Sequence, residues 1–273
     1  MDQDRDIACR FAVLGDAEPK PHPEFPNLAA AIDAINRLHS SQPFDFVAGI
    51  GDLPHRGTPA QYEALDELLP ALTPRLHAIV GNEEMDGTIM DFFRHASTWN
   101  ENPNEIPSLQ FERTYGGYRF VFAGAGADGK GFTTAERTWL LDRVEDIQDG
   151  PVILFTHVAA RDVFPDSRAE LGVQFDTILQ HPNLTLTFSG HSHMNPDETE
   201  CFGWDEHDTY HVHVPGLERT KVGSRHVPRL PVVELTADGE ADIRLFNLDQ
   251  SAFEPKHART IELASTMADA EAE

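Results

Sequence analysis

The sequence predicts an α/β fold, a four-layer α-β-β-α sandwich in which two mixed sheets are flanked by helices. Apolar runs of strand length recur along the chain, and several end at a glycine or threonine followed by a polar residue. Residues 28–38 carry apolar side chains at helical spacing between the first two runs, as a crossover between parallel strands requires. Gly116-Gly117 separates two later runs and predicts a hairpin that opens the second sheet.

Five of the apolar runs carry residues of the metal-ligand type just beyond their carboxyl ends. These residues are Asp16, Asp52, Asn82, His157 and the pair His191 and His193. Ligands of open α/β sheets bind in the crevice at this end of the strands. One such residue usually reflects turn chemistry alone, but five in series are hard to explain by turns. Because carboxylate, amide and imidazole together suit divalent first-row metals, the series predicts a metal site.

The motifs at these strand ends resemble those of the calcineurin-like metallophosphoesterases. The matching motifs are Gly-Asp-x-Glu from Gly15, Gly-Asp-Leu-Pro-His-Arg-Gly-Thr-Pro from Gly51, Gly-Asn-Glu-Glu from Gly81, Thr156-His157, and Gly-His-Ser-His from Gly190. The resemblance extends in order from residue 11 to residue 246. Within the superfamily, the Gly-Asp-Leu to Thr-Pro stretch is similar to the branch that includes bacterial cyclic-nucleotide phosphodiesterases.

The resemblance implies hydrolysis of a phosphodiester or phosphomonoester by a metal-activated water at a dinuclear site. A cyclic nucleotide is the substrate that the branch suggests. Two divalent ions are implied, with Mn, Fe, Mg and Zn as candidates and Mn favoured. The first ion would be held by Asp16, Glu18, Asp52 and His193, and the second by Asp52, Asn82, His157 and His191.

Two positions depart from the family pattern, and both carry glutamate where the family has histidine. Glu18 either binds a metal, since a carboxylate suits hard ions, or is a solvent-exposed side chain. Glu83 replaces a histidine that contacts the phosphate and can protonate the leaving oxygen. Losing such an acid typically costs about 10²–10⁴ in rate, so we expect reduced activity on poor leaving groups. His55 either faces the substrate phosphate or is an ordinary loop histidine; with Asn82 and Glu83 it completes the candidate catalytic set.

The remaining segments predict elements that frame this site. Helices are expected to begin at Asn27, at Thr58-Pro59, at Thr133 or Thr134, within residues 86–95, and within residues 174–180. Loops are expected at residues 96–107 and 195–208, and a hairpin around Asp238-Gly239 is expected to close the second sheet.

His211 and His213 alternate on a strand, where they form either a polar face or an additional metal site. No linker divides the chain, so we predict one domain at 1–248 and an acidic C-terminal tail at 249–273, in which residues 259–267 could form a short helix.

Composition limits the partners that the protein can have. The formal net charge is -25, and only four residues are lysine, which suggests a halophilic protein that stays soluble in high salt. Such an acidic chain repels long nucleic acids and anionic membranes, so a small phosphoester is the expected partner. The start of the chain lacks a secretory signal, no apolar run approaches membrane-spanning length, and the two cysteines do not form a disulfide framework. A cytoplasmic location is therefore expected, and the oligomeric state is left open.

Two other functions compete with a two-metal hydrolase. A metallophosphoesterase-like protein without catalysis could serve as a binding or scaffold module, with Glu18 and Glu83 as the changed positions. The six other ligand-type residues are intact, which argues against loss of the site. A one-metal enzyme in which Glu18 does not bind metal is the third possibility.

Overall fold

Two mixed sheets pack against each other in the computed structural model, which describes residues 6–99, 108–126, 129–145, 150–159, 163–164 and 176–263. The first sheet contains β1 (Ile7–Leu14), β2 (Phe46–Gly49), β3 (Leu76–Ala78), β10 (Arg229–Thr236), β11 (Glu240–Asn247), β12 (Ala252–Phe253) and β13 (Arg259–Glu262). The second contains β4 (Gln110–Tyr115), β5 (Tyr118–Ala123), β6 (Val152–Thr156), β7 (Leu184–Ser189), β8 (Phe202–Trp204) and β9 (Tyr210–His213). The helices are α1 (Pro26–Ser41), α2 (Pro59–Leu68), α3 (Asn82–Met85), α4 (Ile89–Ala96), α5 (Thr134–Val144) and α6 (Asp176–Leu179), with short 3-10 turns at Leu69–Ala71 and Pro255–His257.

The strand order places the carboxyl ends of the central strands at one edge of each sheet. The first sheet runs β12-β11-β10-β1-β2-β3, with β13 also paired to β11, and β1, β2 and β3 are parallel. The second runs β4-β5-β6-β7-β9-β8, and β5, β6, β7 and β9 are parallel. Loops that leave β1, β2 and β3 therefore emerge on one side of the first sheet, as do those that leave β6 and β7 in the second.

Aromatic side chains fill the space between the two sheets. The ring of Phe11 stacks on Phe46 of the same sheet at 5.0 Å, and meets Phe120 and Phe188 of the other sheet edge-on at 5.5 and 5.6 Å. A second apolar cluster joins the outer face of the first sheet to α1 and α2, and a third joins the outer face of the second sheet to α5 and α6. The predicted four-layer arrangement is thus confirmed, with helices outside both sheets.

The hairpin around Asp238-Gly239 forms as predicted, but it belongs to the first sheet rather than the second. β10 pairs antiparallel with both β11 and β1. All eight residues of β10 are buried, so the strand is suited to the centre of a sheet. The turn sequence determines that two neighbouring strands pair, but it carries no information about which other strand they join.

The prediction of a loosely attached tail is wrong for residues 249–263. β12 and β13 both pair with β11, and Arg259–Glu262 is a strand rather than part of a short helix. The side chains of Ile261 and Leu263 are buried in the inter-sheet core. Residues 264–273 of the predicted tail and residues 100–107 of the predicted loop lie outside the described residues.

Helix starts follow the sequence signals in two of three cases. Thr133 caps α5 through its side chain and Thr58 is the N-cap of α2, as predicted. Asn27 lies inside α1 instead, and its main-chain N–H, with that of Leu28, donates to the Glu218 carboxylate at 2.9 Å. A distant carboxylate therefore takes the capping role at α1. Among the helices of the described residues, none has both the length and the apolar character that a bilayer crossing requires.

Candidate metal centre

The loops that follow β1, β2, β3, β6 and β7 bring the predicted ligands together. Asp52, His157 and His191 each offer a donor atom within 4.8 Å of the other two, and Asp16, Asp52 and His193 do the same. Asp52 belongs to both groups and is fully buried. The structure therefore places one carboxylate between two sets of candidate ligands, which we call the first side (Asp16, Glu18, His193) and the second side (Asn82, His157, His191).

On the second side, three atoms of the kind that bind metals surround one imidazole nitrogen. His157 Nε2 lies 3.3 Å from Asp52 Oδ2, 3.3 Å from Asn82 Oδ1 and 3.3 Å from His191 Nδ1. The other ring nitrogen, Nδ1, lies 2.9 Å from the carbonyl oxygen of Ile50. Donation from Nδ1–H to that carbonyl directs Nε2 at the other ligand-type atoms, and Nε2 is the nitrogen that would bind a metal once its proton is lost.

The electrostatics of the second side differ between its two histidines. Burial alone would lower the pKa of His157, but the negative charges of Asp52 and Asp16 raise it to about 9. Burial and the neighbouring His157 lower the pKa of His191 to about 4. His191 is therefore neutral at pH 7, the form in which imidazole binds a metal.

On the first side, two carboxylates face a buried imidazole. His193 Nε2 lies 3.2 Å from Glu18 Oε1 and 3.3 Å from Asp16 Oδ1. Burial would raise the pKa of Asp16, but His193 and His157 hold it well below its usual range. His193 Nδ1 lies 3.2 Å from the carbonyl oxygen of Arg219, which can accept its proton as Ile50 does for His157.

Buried polar atoms at the centre show that its residues fit divalent ions. Among the described residues, neither Asp52 Oδ2 nor His193 Nε2 has a hydrogen-bond partner, although both are buried. Buried polar atoms are normally hydrogen-bonded, and the exceptions require a cause. Metal ligands around a cation face one another in this way, with buried oxygen and nitrogen atoms that lack hydrogen bonds. The mixture of carboxylate, amide and imidazole suits a divalent metal.

Three ligand-type residues adopt the left-handed backbone conformation that favours glycine. Asp52, His191 and His193 have φ values of 52°, 68° and 44°. Such conformations cost about 1–3 kcal/mol each and persist where the surroundings enforce them. The His191 N–H donates to both oxygens of Asp16 at 3.0 and 3.1 Å, which ties the loop after β7 to the loop after β1.

Glu84 is a structural residue of the centre that the sequence did not single out. Its carboxylate is fully buried and accepts the main-chain N–H groups of Asp52 and Leu53 at 2.9 Å and of Gly81 at 2.8 Å. Burial and the charge of Asp52 raise the pKa of Glu84 to about 8. Its position three residues after Gly81 is that of the glutamate in a capping box, a signal that could have identified it.

Glu18 is buried, so its prediction as a solvent-exposed side chain is excluded. Each oxygen of its carboxylate contacts a cation. Oε2 lies 3.0 Å from Lys20 Nζ, and Oε1 lies 3.2 Å from Lys221 Nζ and also contacts the Arg219 guanidinium. Burial would raise the pKa of Glu18, but His193 and Lys221 hold it well below its usual range. Glu18 is therefore ionised while it faces His193.

Glu83 lies next to His55 rather than in an isolated position. Its Oε2 lies 2.6 Å from His55 Nδ1 and accepts the Arg56 N–H at 2.8 Å, while Oε1 lies 3.5 Å from Lys20 Nζ. Its own main-chain N–H donates to Asp52 Oδ1 at 2.8 Å. The two glutamates that depart from the family pattern thus share one neighbourhood with His55, and donor atoms of all three lie within 4.8 Å of one another.

A family model for calcineurin-like phosphoesterases matches residues 9–195, about two-thirds of the chain. The chain belongs to this family. Membership supports a metal-dependent phosphoester hydrolase, and no curated protein sequence matches the chain significantly.

Solved structures with the same fold include proteins of quite different description. A purple acid phosphatase from yellow lupin (Lupinus luteus) seeds superposes with a TM-score of 0.67 at 14% identity, covering 93% of this chain and 53% of that one. GAP50, described as the anchor in the inner membrane complex of Plasmodium, gives 0.64 at 11% identity, covering 95% and 90%. The Haemophilus influenzae NAD nucleotidase gives 0.53 at 12% identity, covering 94% and 53%. This chain spans about half the length of the lupin and Haemophilus proteins, and identities this low show the fold alone.

The structure places three cations at the candidate metal centre that the sequence did not assign to it. They are Lys20, Arg219 and Lys221, all in contact with Glu18. The scarcity of lysine was the one available signal, since two of the four lysines lie here. His211 and His213 belong to none of the ligand-type groups found among the described residues, and His211 instead contacts Thr187 and Asp205 at 2.6 and 3.0 Å.

Proposed function

We propose that the chain hydrolyses phosphoesters at a centre of two divalent metal ions. The observation that carries this proposal is the position of Asp52, a buried carboxylate shared by two sets of ligand-type residues. Asp16, Glu18, Asp52 and His193 would hold the first ion, and Asp52, Asn82, His157 and His191 the second. Mn²⁺ is the favoured ion because the ligand set is rich in oxygen. Divalent ions there would lower the pKa of a water molecule and neutralise charge on the phosphoryl oxygens.

His55 is the residue that we assign to protonation of the leaving group. Glu83 occupies the position of the family's histidine, but its carboxylate is taken up by His55, Lys20 and the Arg56 N–H. The contact between Glu83 and His55 Nδ1 fixes the orientation of the ring, as a carboxylate does for a catalytic histidine. Nδ1 faces Glu83, so the other ring nitrogen, Nε2, is the atom from which a doubly protonated imidazole would give a proton to the leaving oxygen.

The substrate that we propose is a small phosphomonoester or phosphodiester. The similarity of residues 51–59 to the cyclic-nucleotide branch supports a cyclic nucleotide, whereas the lupin and Haemophilus neighbours are named as a phosphatase and a nucleotidase. The net charge of -25 argues against long nucleic acids as substrates.

Hydrolysis by protein that is stripped of metal and then reloaded with Mn²⁺ at high salt tests the proposal. Bis-p-nitrophenyl phosphate and p-nitrophenyl phosphate serve as substrates. We expect metal-dependent turnover that falls to background in Asp52→Ala, because the substitution removes a ligand of both ions. Asp33→Ala removes an exposed carboxylate from α1 and serves as the matched control, which should retain wild-type turnover.

A binding or scaffold role is the second candidate function. The fold is shared with a Plasmodium protein described as an anchor, and Glu18 and Glu83 are both in contact with lysine. Reloaded wild-type protein that holds two equivalents of metal but matches the background of Asp52→Ala on both substrates would favour this role. One equivalent of metal that survives dialysis, together with turnover, would favour the one-metal enzyme.

A further inference from the structure

Two of the few lysines in this acidic chain lie at the metal centre. The chain has 21 lysine and arginine residues against 46 aspartate and glutamate residues, and only four of the cations are lysines. Lys20 and Lys221 both contact Glu18. Lys130 follows Gly129, which packs so closely on the loop after β3 that an added Cβ would lie 2.3 Å from the Gly81 carbonyl oxygen. Two of the four lysines therefore contact the centre directly, and a third follows a glycine that packs on the loop after β3, although solubility alone would favour no such placement.

The loop that carries Arg219 and Lys221 is fixed to the ligand-bearing loops. The Leu217 N–H donates to the Asp16 carbonyl at 2.7 Å, and the Lys221 N–H donates to the His193 carbonyl at 3.0 Å. Lys221 Nζ also donates to the His191 carbonyl at 3.0 Å. Arg219 and Lys221 are thus held in place by main-chain hydrogen bonds to Asp16 and His193 on the first side and by a Lys221 side-chain contact to His191 on the second, which is the preorganisation that a binding site requires.

Cations outnumber carboxylates in the group of ion pairs that lysine and arginine form with Glu18 and Glu83. Three permanent cations, Lys20, Arg219 and Lys221, face two carboxylates, Glu18 and Glu83. All three cations remain open to solvent, with side-chain exposures of 37%, 29% and 24%. An anion that approaches the centre can therefore reach them.

Arg219 has donors in reserve. Its guanidinium contacts Glu18 through Nη2, while the buried Nε has no hydrogen-bond partner among the described residues. A guanidinium has five N–H donors in a planar fork that matches the oxygens of phosphate, and lysine is a compact cation that suits the same ligand.

We propose that Lys20, Arg219 and Lys221 form a subsite for the non-bridging oxygens of a phosphomonoester dianion. The inference rests on the hydrolysis proposed above and specifies its substrate class. A phosphomonoester carries about -1.5 to -2 charge at pH 7, compared with a single negative charge on a diester. Since Coulomb energy scales with the charge of the ligand, the three cations stabilise the bound monoester more than the bound diester. The chain is therefore a phosphomonoesterase, and it cleaves diesters, including cyclic nucleotides, less efficiently.

The test compares Lys221→Gln and Lys20→Gln with Lys256→Gln at one fixed salt concentration. Lys256 is the matched control because it pairs with Asp197 rather than with Glu18 or Glu83, and its loss changes the net charge equally. Values of kcat/KM are measured on p-nitrophenyl phosphate and bis-p-nitrophenyl phosphate, with metal content measured on the same samples. Binding of inorganic phosphate to the metal-loaded proteins is measured by calorimetry.

We expect Lys221→Gln to lower kcat/KM for the monoester about tenfold to a hundredfold, the usual range for a charged hydrogen bond, and to lower that for the diester less than about threefold. Lys20→Gln should act in the same direction, Lys221→Arg should restore the monoester activity, and Lys256→Gln should change neither. Phosphate should bind more weakly by a similar factor, with two equivalents of metal retained. Equal losses on both esters, or losses that follow loss of metal, would overturn the inference and leave the cations as neutralising partners of Glu18.

Failure of the inference and failure of the proposed hydrolysis give different results. If wild type turns over both esters but the lysine variants change neither the ester ratio nor phosphate binding, the subsite is wrong and the hydrolase stands. If reloaded wild type turns over neither ester but binds phosphate, and Lys221→Gln weakens that binding, the subsite stands and the hydrolase falls.

Discussion

The two sides of the centre are held by different kinds of interaction. On the second side, the imidazole of His157 is oriented by a main-chain carbonyl, and its neighbours Asn82 and His191 are uncharged ligand types. On the first side, Glu18 brings a second carboxylate to His193 and is balanced by Lys221 and other cations. A neutral ligand needs only a correctly folded loop, whereas a buried carboxylate also needs partners for its charge. Both sides join segments that are far apart in the chain, but only the first side also needs cations that balance a second buried carboxylate.

Glu84 fixes the loop that carries Asp52, the residue shared by the two sides, and its removal should have the largest effect. Glu84→Ala leaves three buried N–H groups without an acceptor, and each such loss costs about 1–3 kcal/mol. We expect the free energy of unfolding to fall by about 3–5 kcal/mol, together with metal binding on both sides, because Asp52 loses its fixed position. Urea denaturation of the metal-free protein measures the change.

Glu83→Ala is the matched control for Glu84→Ala, since it truncates the neighbouring glutamate. Glu83 accepts one main-chain N–H and contacts His55 and Lys20, which are partly exposed. Its removal should cost less than about 2 kcal/mol. If the two variants are equally stable, the turns hold Asp52 without help from Glu84.

The sequence predicted ligand-type residues on both sides but not the cations around Glu18, and the reason is physical. The ligand-type residues that were predicted each lie within four residues of the end of a strand, so local patterns place them at one end of the sheets: Asp16, Asp52, Asn82, His157, His191 and His193. The grouping of Glu18 with Arg219 could not be predicted, because it joins residues 201 positions apart through the packing of two loops.

The fold shows the same division between local and distant contacts. The hairpin of β10 and β11 was predicted from its turn, while its place beside β1 in the first sheet was not. The strand β13 was missed because its residues, Arg259–Glu262, alternate between exposed and buried only once the edge of β11 is available to them. Local sequence determines which elements form, and distant packing determines their neighbours.

Metal titration can show whether the two sides bind Mn²⁺ with different affinities. We expect two equivalents of Mn²⁺ to bind with affinities that differ by about tenfold or more, because the cations around Glu18 repel an ion on the first side. His157→Ala should weaken the tighter equivalent by more than about a hundredfold, and His193→Ala should do the same to the weaker one. Calorimetry on metal-free protein separates the two events.

His211→Ala provides the control for the metal titration, because it removes a buried imidazole outside the centre. Both equivalents should bind to this variant as they do to wild type. Two indistinguishable binding events in wild type, or loss of the same event in both ligand variants, would mean that the two sides do not differ in affinity.

The smallest effect is expected from His55, and it should depend on the leaving group. His55 is assigned the proton that reaches the leaving oxygen, and Glu83 orients it through Nδ1 at 2.6 Å. p-Nitrophenolate is stable as an anion and needs no proton, whereas an alkoxide does. His55→Gln should therefore lower kcat for an alkyl phosphate about tenfold to a hundredfold and leave that for p-nitrophenyl phosphate within about threefold. His95→Gln, on α4, removes a histidine that is likewise paired with a carboxylate, Asp66, and should affect both substrates equally and weakly. A loss in His55→Gln that is equal for the two leaving groups would place His55 in substrate binding rather than in proton transfer.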